Sequence, residues 1–226
     1  MCGQLGVVYG TVKERLPEER SYLKWLFMYL LLLSERRGPY ATGIAWLKKD
    51  GSHNIFKRPM RAVEFVKEKQ FLAVISQVDD YTTWLAGHTR WPTRGPNVQD
   101  NAHPIHTGAV VGAANGTILN ANALFRRLNL PRFAEVDSEI IFRMADDTLR
   151  DGCIDIPAFK ERLALCRGQI SAVMASKLDP KRVVVIKGNM PLEMRYHSDH
   201  RVIIYASDPA YLDAALQDDT GWQAIT

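Results

Sequence analysis

The chain opens "MCG", which puts a cysteine at position 2. Removal of the initiator methionine, common before a small residue, would leave Cys2 with a thiol and a free α-amine on one carbon skeleton. An α-amine titrates at about 7.7–8.0, so near neutral pH a good fraction is unprotonated and can act as a general base. Thiolate is the reactive form of cysteine, and a base held beside it raises nucleophilicity without a separate histidine. A second concentration of polar side chains is "GHTRWPTRGPNVQDNAHP" at 87–104, where histidines, arginines, asparagines and prolines crowd together. Within it Arg90 offers a rigid, permanently charged fork suited to a carboxylate. Asp137, at the start of an expected helix, either pairs with a substrate ammonium or serves as an N-cap. Asn115-Gly116 either supplies an amide and a backbone N–H to a tetrahedral oxyanion or makes a hairpin turn. Together these residues describe an acyl-transfer site for an amino acid amide, with a nucleophile, two clamps and an oxyanion hole.

The elements that must position these groups are legible in outline. "LGVVYG" reads as a strand beginning almost at the first residue, and Ser21 to Glu35 has helical length. "ATGIAWLKKDGSHNIFKR" reads as two strands around an Asp-Gly turn, and Ala62 to Val78 as a helix. "GAVVGAANGTIL" is expected to be two strand pieces with a tight turn at Asn115-Gly116. "NANALFRRL" and "VDSEIIFRMADDTL" open helices, with Asp137 or Ser138 at the amino end of the second. "QISAVMAS", "RVVVIKG", "EMRYHS" and "RVIIYASD" follow as short strands. Strands at both ends with helices between them indicate an α+β sandwich rather than alternating βαβ units. No internal repeat, linker or glycine-rich phosphate loop is present.

Bulk properties exclude several classes. With 226 residues the chain can bury a sizeable core, and it is expected to be a single domain over 1–226. The net charge of +4 comes from scattered lysines and arginines, which fits a solvated surface and no nucleic-acid groove. The run "WLFMYLLLL" is far shorter than the roughly 20 residues a membrane-spanning helix needs and is flanked by charge, so it reads as a buried helix. The amino terminus does not have the pattern of a signal peptide. Cys2, Cys153 and Cys166 are odd in number and not closely paired, against a disulfide framework or zinc knuckle and in keeping with a cytoplasmic location. Cys153 and Cys166 are expected to be buried packing residues.

The "MCG" start, "GHTRWPTRGPNVQDNAHP", "ANG" and "VDSE", in this order, resemble the class II glutamine amidotransferases, and most of all the glutaminase half of glucosamine-6-phosphate synthase. "SERRGPYATGIA" at 34–45 resembles that family's "YRGYDSAG" region less closely. The resemblance implies an N-terminal-nucleophile hydrolase: a four-layer αββα sandwich, two antiparallel sheets face to face between helical layers. It makes Cys2 the nucleophile on the glutamine side-chain amide, with Arg90 on the substrate carboxylate and Asp137 on its ammonium. It places Trp91 and Thr93 on the pocket wall and Asn115 with Gly116 in the oxyanion hole. His88 and His103, the rival bases, become supports of the loop together with Asn101 and Pro104, and Thr89 becomes scaffold. Neither a metal nor a cofactor is implied. Ala114 stands where the family tends to have histidine, and "RWPTRG" replaces "RWATHG" through Pro92 and Arg94. No synthase domain is recognised within 1–226, so the expected function is a stand-alone glutaminase subunit that releases ammonia to a separate synthetase. The alternatives are an amide hydrolase of the same fold with another substrate and a silent glutamine-binding module.

Overall fold

The computed structural model describes residues 2–12, 14–217 and 219–225. Its elements are β1 (Gly3–Tyr9), α1 (Pro17–Ser34), β2 (Ala41–Lys48), β3 (His53–Arg58), α2 (Ala62–Phe65), α3 (Lys69–Ser76) and β4 (Thr82–Arg90). The middle of the chain forms β5 (Ile105–Thr107), β6 (Val110–Ile118), α4 (Ala121–Arg127), α5 (Glu139–Asp147), β7 (Leu149–Arg150), β8 (Cys153–Ile154) and α6 (Ile156–Leu163). It closes with β9 (Gly168–Ser176), β10 (Asp179–Lys187), β11 (Glu193–His197), β12 (Val202–Ala206), α7 (Pro209–Leu216) and β13 (Trp222–Ile225). A seven-stranded antiparallel sheet has the order β13-β11-β12-β1-β4-β2-β3, and a second sheet the order β10-β9-β6-β5.

Alternation along the strands generates the layers. In β2, Ile44 and Trp46 join a cluster with Leu26, Phe27 and Leu30 of α1, while Ala45 and Leu47 face Val111, Val173 and Ala175 of the other sheet. Side chains of a strand point alternately to its two faces, so a strand buried on both sides must be apolar throughout. The outer face of the second sheet is covered by α4, α5 and α6 through Phe125, Ile140, Phe142 and Phe159. The result is the four-layer αββα sandwich. The apolar run in α1 is a buried helix: Leu23, Leu26, Phe27, Leu30 and Leu31 are sealed from solvent. Each such side chain contributes about 1.5–3 kcal/mol relative to exposure. No helix among the described residues is long and apolar enough to cross a membrane.

Three expectations need correction. The helix expected over Ala62 to Val78 is two helices, α2 and α3. In one continuous helix Phe65 and Phe71 would point about 120° apart. The break at 66–68 lets both rings enter the same core, 5.4 Å apart. The turn expected at Asn115-Gly116 is absent, since β6 runs unbroken through both residues and pairs Asn115 with Ser171 and Gly116 with Ile170. Gly116 has φ +119°, and a Cβ there would stand 2.0 Å from the Gln169 carbonyl, so glycine is needed for a close strand approach and not for a turn. Finally, Cys153 is half-buried and its Sγ lies 2.7 Å from Arg182 Nη2, so it is not a buried packing residue. Cys166 is half-buried against the core under α4–α6, and burial pushes its thiol up to about 11.

Candidate active site

Antiparallel pairing sets the site. β1 and β4 are in register with Gly3 opposite Thr89, so the start of one strand and the end of the other meet at the same end of the sheet. Cys2 is thereby brought to Arg90 and Trp91, although 89 positions separate Cys2 from Trp91 in the chain. The Trp91 N–H donates to Cys2 Sγ at 3.3 Å, and the thiol donates to the Trp91 carbonyl at 3.5 Å. The second sheet supplies Asn115, whose Nδ2 donates to the Cys2 carbonyl at 3.2 Å. Arg37 donates to that same oxygen through Nε at 2.9 Å. Gln4 ties the two sheets together beneath the site by donating from Nε2 to the Ala113 carbonyl.

Burial raises the Cys2 pKa, and the Trp91 N–H and the charges of Arg90 and Arg37 partly offset it. A proton acceptor is therefore needed to generate thiolate at neutral pH. Neither buried histidine bonds the thiol. His88 Nε2 donates to the Ala114 carbonyl at 3.3 Å, and His103 Nε2 lies 2.9 Å from Ser138 Oγ, with the two rings 4.5 Å apart. Burial pulls His88 down to about 4 and His103 well below its ordinary value, so both are neutral at physiological pH.

This has a consequence for stability. The unfolded chain protonates an ordinary histidine near 6.5 while folded His88 waits until about 4, so the unfolded state binds the extra proton first. Stability is then complete above pH 6.5 and is lost as the pH falls toward 4. Urea unfolding at successive pH values is expected to show the midpoint dropping across that window, with a shallower drop in His88→Gln.

Arg90 is buried at the end of β4, and its guanidinium holds the loop that follows. Nη1 donates to the Pro96 carbonyl at 2.9 Å, and Nη2 to those of Arg94 and Gly95 at 2.6 and 3.3 Å. A guanidinium has five N–H donors, so Nε–H and one Nη1–H remain uncommitted among the described residues. Asn101 braces the same loop, donating to the Pro96 carbonyl at 3.1 Å while its Oδ1 accepts from the Glu135 N–H at 2.8 Å. Asp137 is buried and accepts from the Ile118 N–H at the end of β6. It is not a helix cap, because Ser138 occupies the N-cap of α5 and no side-chain cap bond forms there. The charges of Cys2 and Asp137 both act on Arg90.

The structure therefore gathers Cys2, Arg90, Trp91, Asn115, Gly116 and Asp137 at one end of the sandwich, with His88, Asn101 and His103 packed behind them. Thr93 is not drawn in and is exposed on the loop. The Trp91 side chain is exposed, its ring packed edge-on against Tyr40. Thr89 donates to the Ser34 carbonyl on the α1 side of the sheet. The Arg94 side chain lines a cleft of about 540 Å³ with Arg132 and Glu135. Arg37 was missed as a site residue, though it stands in the 34–45 segment whose family likeness was visible. Lys57 was also missed, and nothing in the sequence marks it.

A possible metal cluster lies elsewhere: His197, His200 and Asp219 have donor atoms within 4.8 Å of one another. His197 is already committed there, Nδ1 accepting from the His200 N–H and Nε2 standing 3.4 Å from Asp219 Oδ1. These contacts tie the β13 end of the chain to the turn after β11.

No family model matches the chain. Over 220 residues, 94% of this chain, it is 32% identical to the glutamine–fructose-6-phosphate aminotransferase (isomerizing) of Sulfurisphaera tokodaii, of which it covers 34%. It is 31% identical over 181 residues to the protein of the same name from Haemophilus ducreyi, covering 79% of this chain and 28% of that one. The chain thus spans about a third of the length of the curated relatives it matches. Among solved structures, the glutamine phosphoribosylpyrophosphate amidotransferase of B. subtilis superimposes with TM-score 0.68 at 20% identity, covering 99% of this chain and 44% of that one. A glutamine aminotransferase class-II domain protein from Silicibacter pomeroyi matches with TM-score 0.57 at 14% identity, covering 99% of this chain and 91% of that one. Kinship along nearly the whole sequence and a shared sandwich fold place this chain among the class II glutamine amidotransferase domains.

Proposed function

We propose that this chain hydrolyses the side-chain amide of glutamine through a thioester on Cys2. The observation that carries the reading is the convergence on Cys2 of the Trp91 N–H, the Asn115 amide and Arg37, with no histidine on the thiol. Once Met1 is removed, the Cys2 α-amine takes the thiol proton as Sγ attacks the amide carbon. The amine then passes the proton to the departing nitrogen, which leaves as ammonia. Asn115 Nδ2 and the Gly116 N–H stabilise the oxyanion of each tetrahedral intermediate. Water, deprotonated by the same amine, attacks the thioester and releases glutamate and the free thiol. Asp137 holds the substrate ammonium, and Arg90 directs its uncommitted N–H groups to the carboxylate. Trp91 borders the pocket through its backbone beside Cys2. The ammonia goes to an acceptor-binding partner distinct from these 226 residues.

Intact mass spectrometry before and after treatment with 6-diazo-5-oxo-norleucine tests this directly. Loss of the Met1 mass followed by a single adduct on Cys2 is the expected outcome. Processed protein that refuses the label while hydrolysing an N-blocked glutamine would shift the substrate to another amide. Glutamine binding by calorimetry without ammonia release would leave a silent binding module.

A further inference from the structure

Lys57 sits on β3, the edge strand of the larger sheet, with β2 between it and β4. Its Nζ donates to three carbonyls of one short segment: Ala102 at 2.7 Å, Pro104 at 3.2 Å and Asp100 at 3.4 Å. An ammonium carries three N–H donors and accepts nothing, so this single group can serve three backbone acceptors that no strand pairing reaches. Gly43 of β2 completes the seat. A Cβ there would stand 2.1 Å from the His103 carbonyl and 2.7 Å from the Lys57 Cβ, so glycine is what admits the segment. Seated this way, residues 100–104 present Asn101 to the Pro96 carbonyl, the same oxygen that Arg90 Nη1 holds.

We propose that Lys57 is a positioning residue for the substrate loop, setting through residues 100–104 and Asn101 where residues 94–96 and Arg90 stand. The inference rests on the reading that this loop binds glutamine. Without the ammonium, three carbonyls that converge on one point lose their shared donor, and the segment relaxes outward. Asn101 moves with it, the Pro96 carbonyl loses one of its two donors, and Arg90 follows the loop away from the substrate carboxylate.

The groups around Lys57 define how it responds to pH. Burial pulls it down to about 8, Asp100 and Glu139 oppose that, and Arg90 adds to it. His88 and His103, across the sheet, feel its charge. Arg58 on the same strand is engaged by Gln70 and Gln99. When Lys57 loses its proton, two N–H donors remain for three carbonyls, so the loop should loosen as the pH rises through about 8.

The test compares wild type, Lys57→Met and Lys57→Arg in glutamine hydrolysis on either side of that pH. Rates are normalised to the fraction of protein that the diazo analogue titrates. Lys57→Met is expected to raise KM for glutamine by about ten-fold or more while kcat stays within about three-fold. Lys57→Arg, which cannot deprotonate, should recover most of the KM and remove the part of its alkaline rise centred near 8. Hydrogen exchange should show faster exchange at amides 94–104 in Lys57→Met. A Lys57→Met protein with lower melting temperature and unchanged KM would make Lys57 a packing residue only and overturn the proposal, as would an unaltered alkaline rise in Lys57→Arg. If wild type neither hydrolyses glutamine nor takes the label, the functional reading fails by itself. Hydrogen exchange then decides for Lys57 alone, and unchanged protection of 94–104 in Lys57→Met would overturn it.

Discussion

Replacing Cys2 with serine is expected to lower kcat for glutamine hydrolysis by at least about 10³-fold, some 4 kcal/mol of transition-state stabilisation. The same α-amine remains, and serine is nearly isosteric, so neither the base nor the packing is disturbed. What is lost is the ionisable sulfur, because an alcohol is far harder to deprotonate than a thiol, even one whose pKa burial has raised. The Trp91 N–H that now donates to Sγ at 3.3 Å would meet a hydroxyl oxygen instead, so the loop keeps its anchor. Glutamine affinity measured by calorimetry should therefore persist while ammonia release collapses. A Cys2→Ser protein with kcat within ten-fold of wild type would remove the thioester from the mechanism.

The second large effect is expected at Asn115. Asn115→Ala should cost about 10²–10³ in kcat, the range seen when one oxyanion donor is removed, with KM little changed because the contact strengthens only as charge develops. The fold should tolerate the change. The Asn115 side chain also interacts with His88, which keeps its bond to the Ala114 carbonyl when the amide is truncated. The Cys2 carbonyl keeps its bond from Arg37, and the net stability change should be about 1 kcal/mol or less. Asn115→Asp separates shape from chemistry, since it preserves volume and removes both N–H donors. Steady-state kinetics on the two variants should show similar losses. A large loss in Ala with near-normal activity in Asp would assign Asn115 to packing instead.

The sequence by itself determined the periodicities and the chemistry. Alternation and apolar runs marked β1, β2, β3, β6 and β9 to β12 and the buried face of α1, because burial of a strand or helix face is written in local residue type, whereas β4, whose second half is the polar "GHTR", does not read as a strand. The family likeness named the side chains that the fold later gathered near Cys2, because chemistry needs particular functional groups. What only the tertiary structure decided are matters of long-range contact. Whether Asn115-Gly116 turned or ran straight depended on β9, which pairs with β6 through both residues, and local propensity favoured the turn. The helix break at 66–68 follows from two phenylalanines that must share one core. Asp137 could be read as a cap until Ile118 N–H, from a strand 19 residues earlier, claimed its carboxylate. Arg90 reads as a free clamp in the sequence, yet most of its donors hold the carbonyls of 94–96. Lys57 was invisible for the same reason: its partners are backbone oxygens, which every sequence contains, and only folding brings three of them to one ammonium.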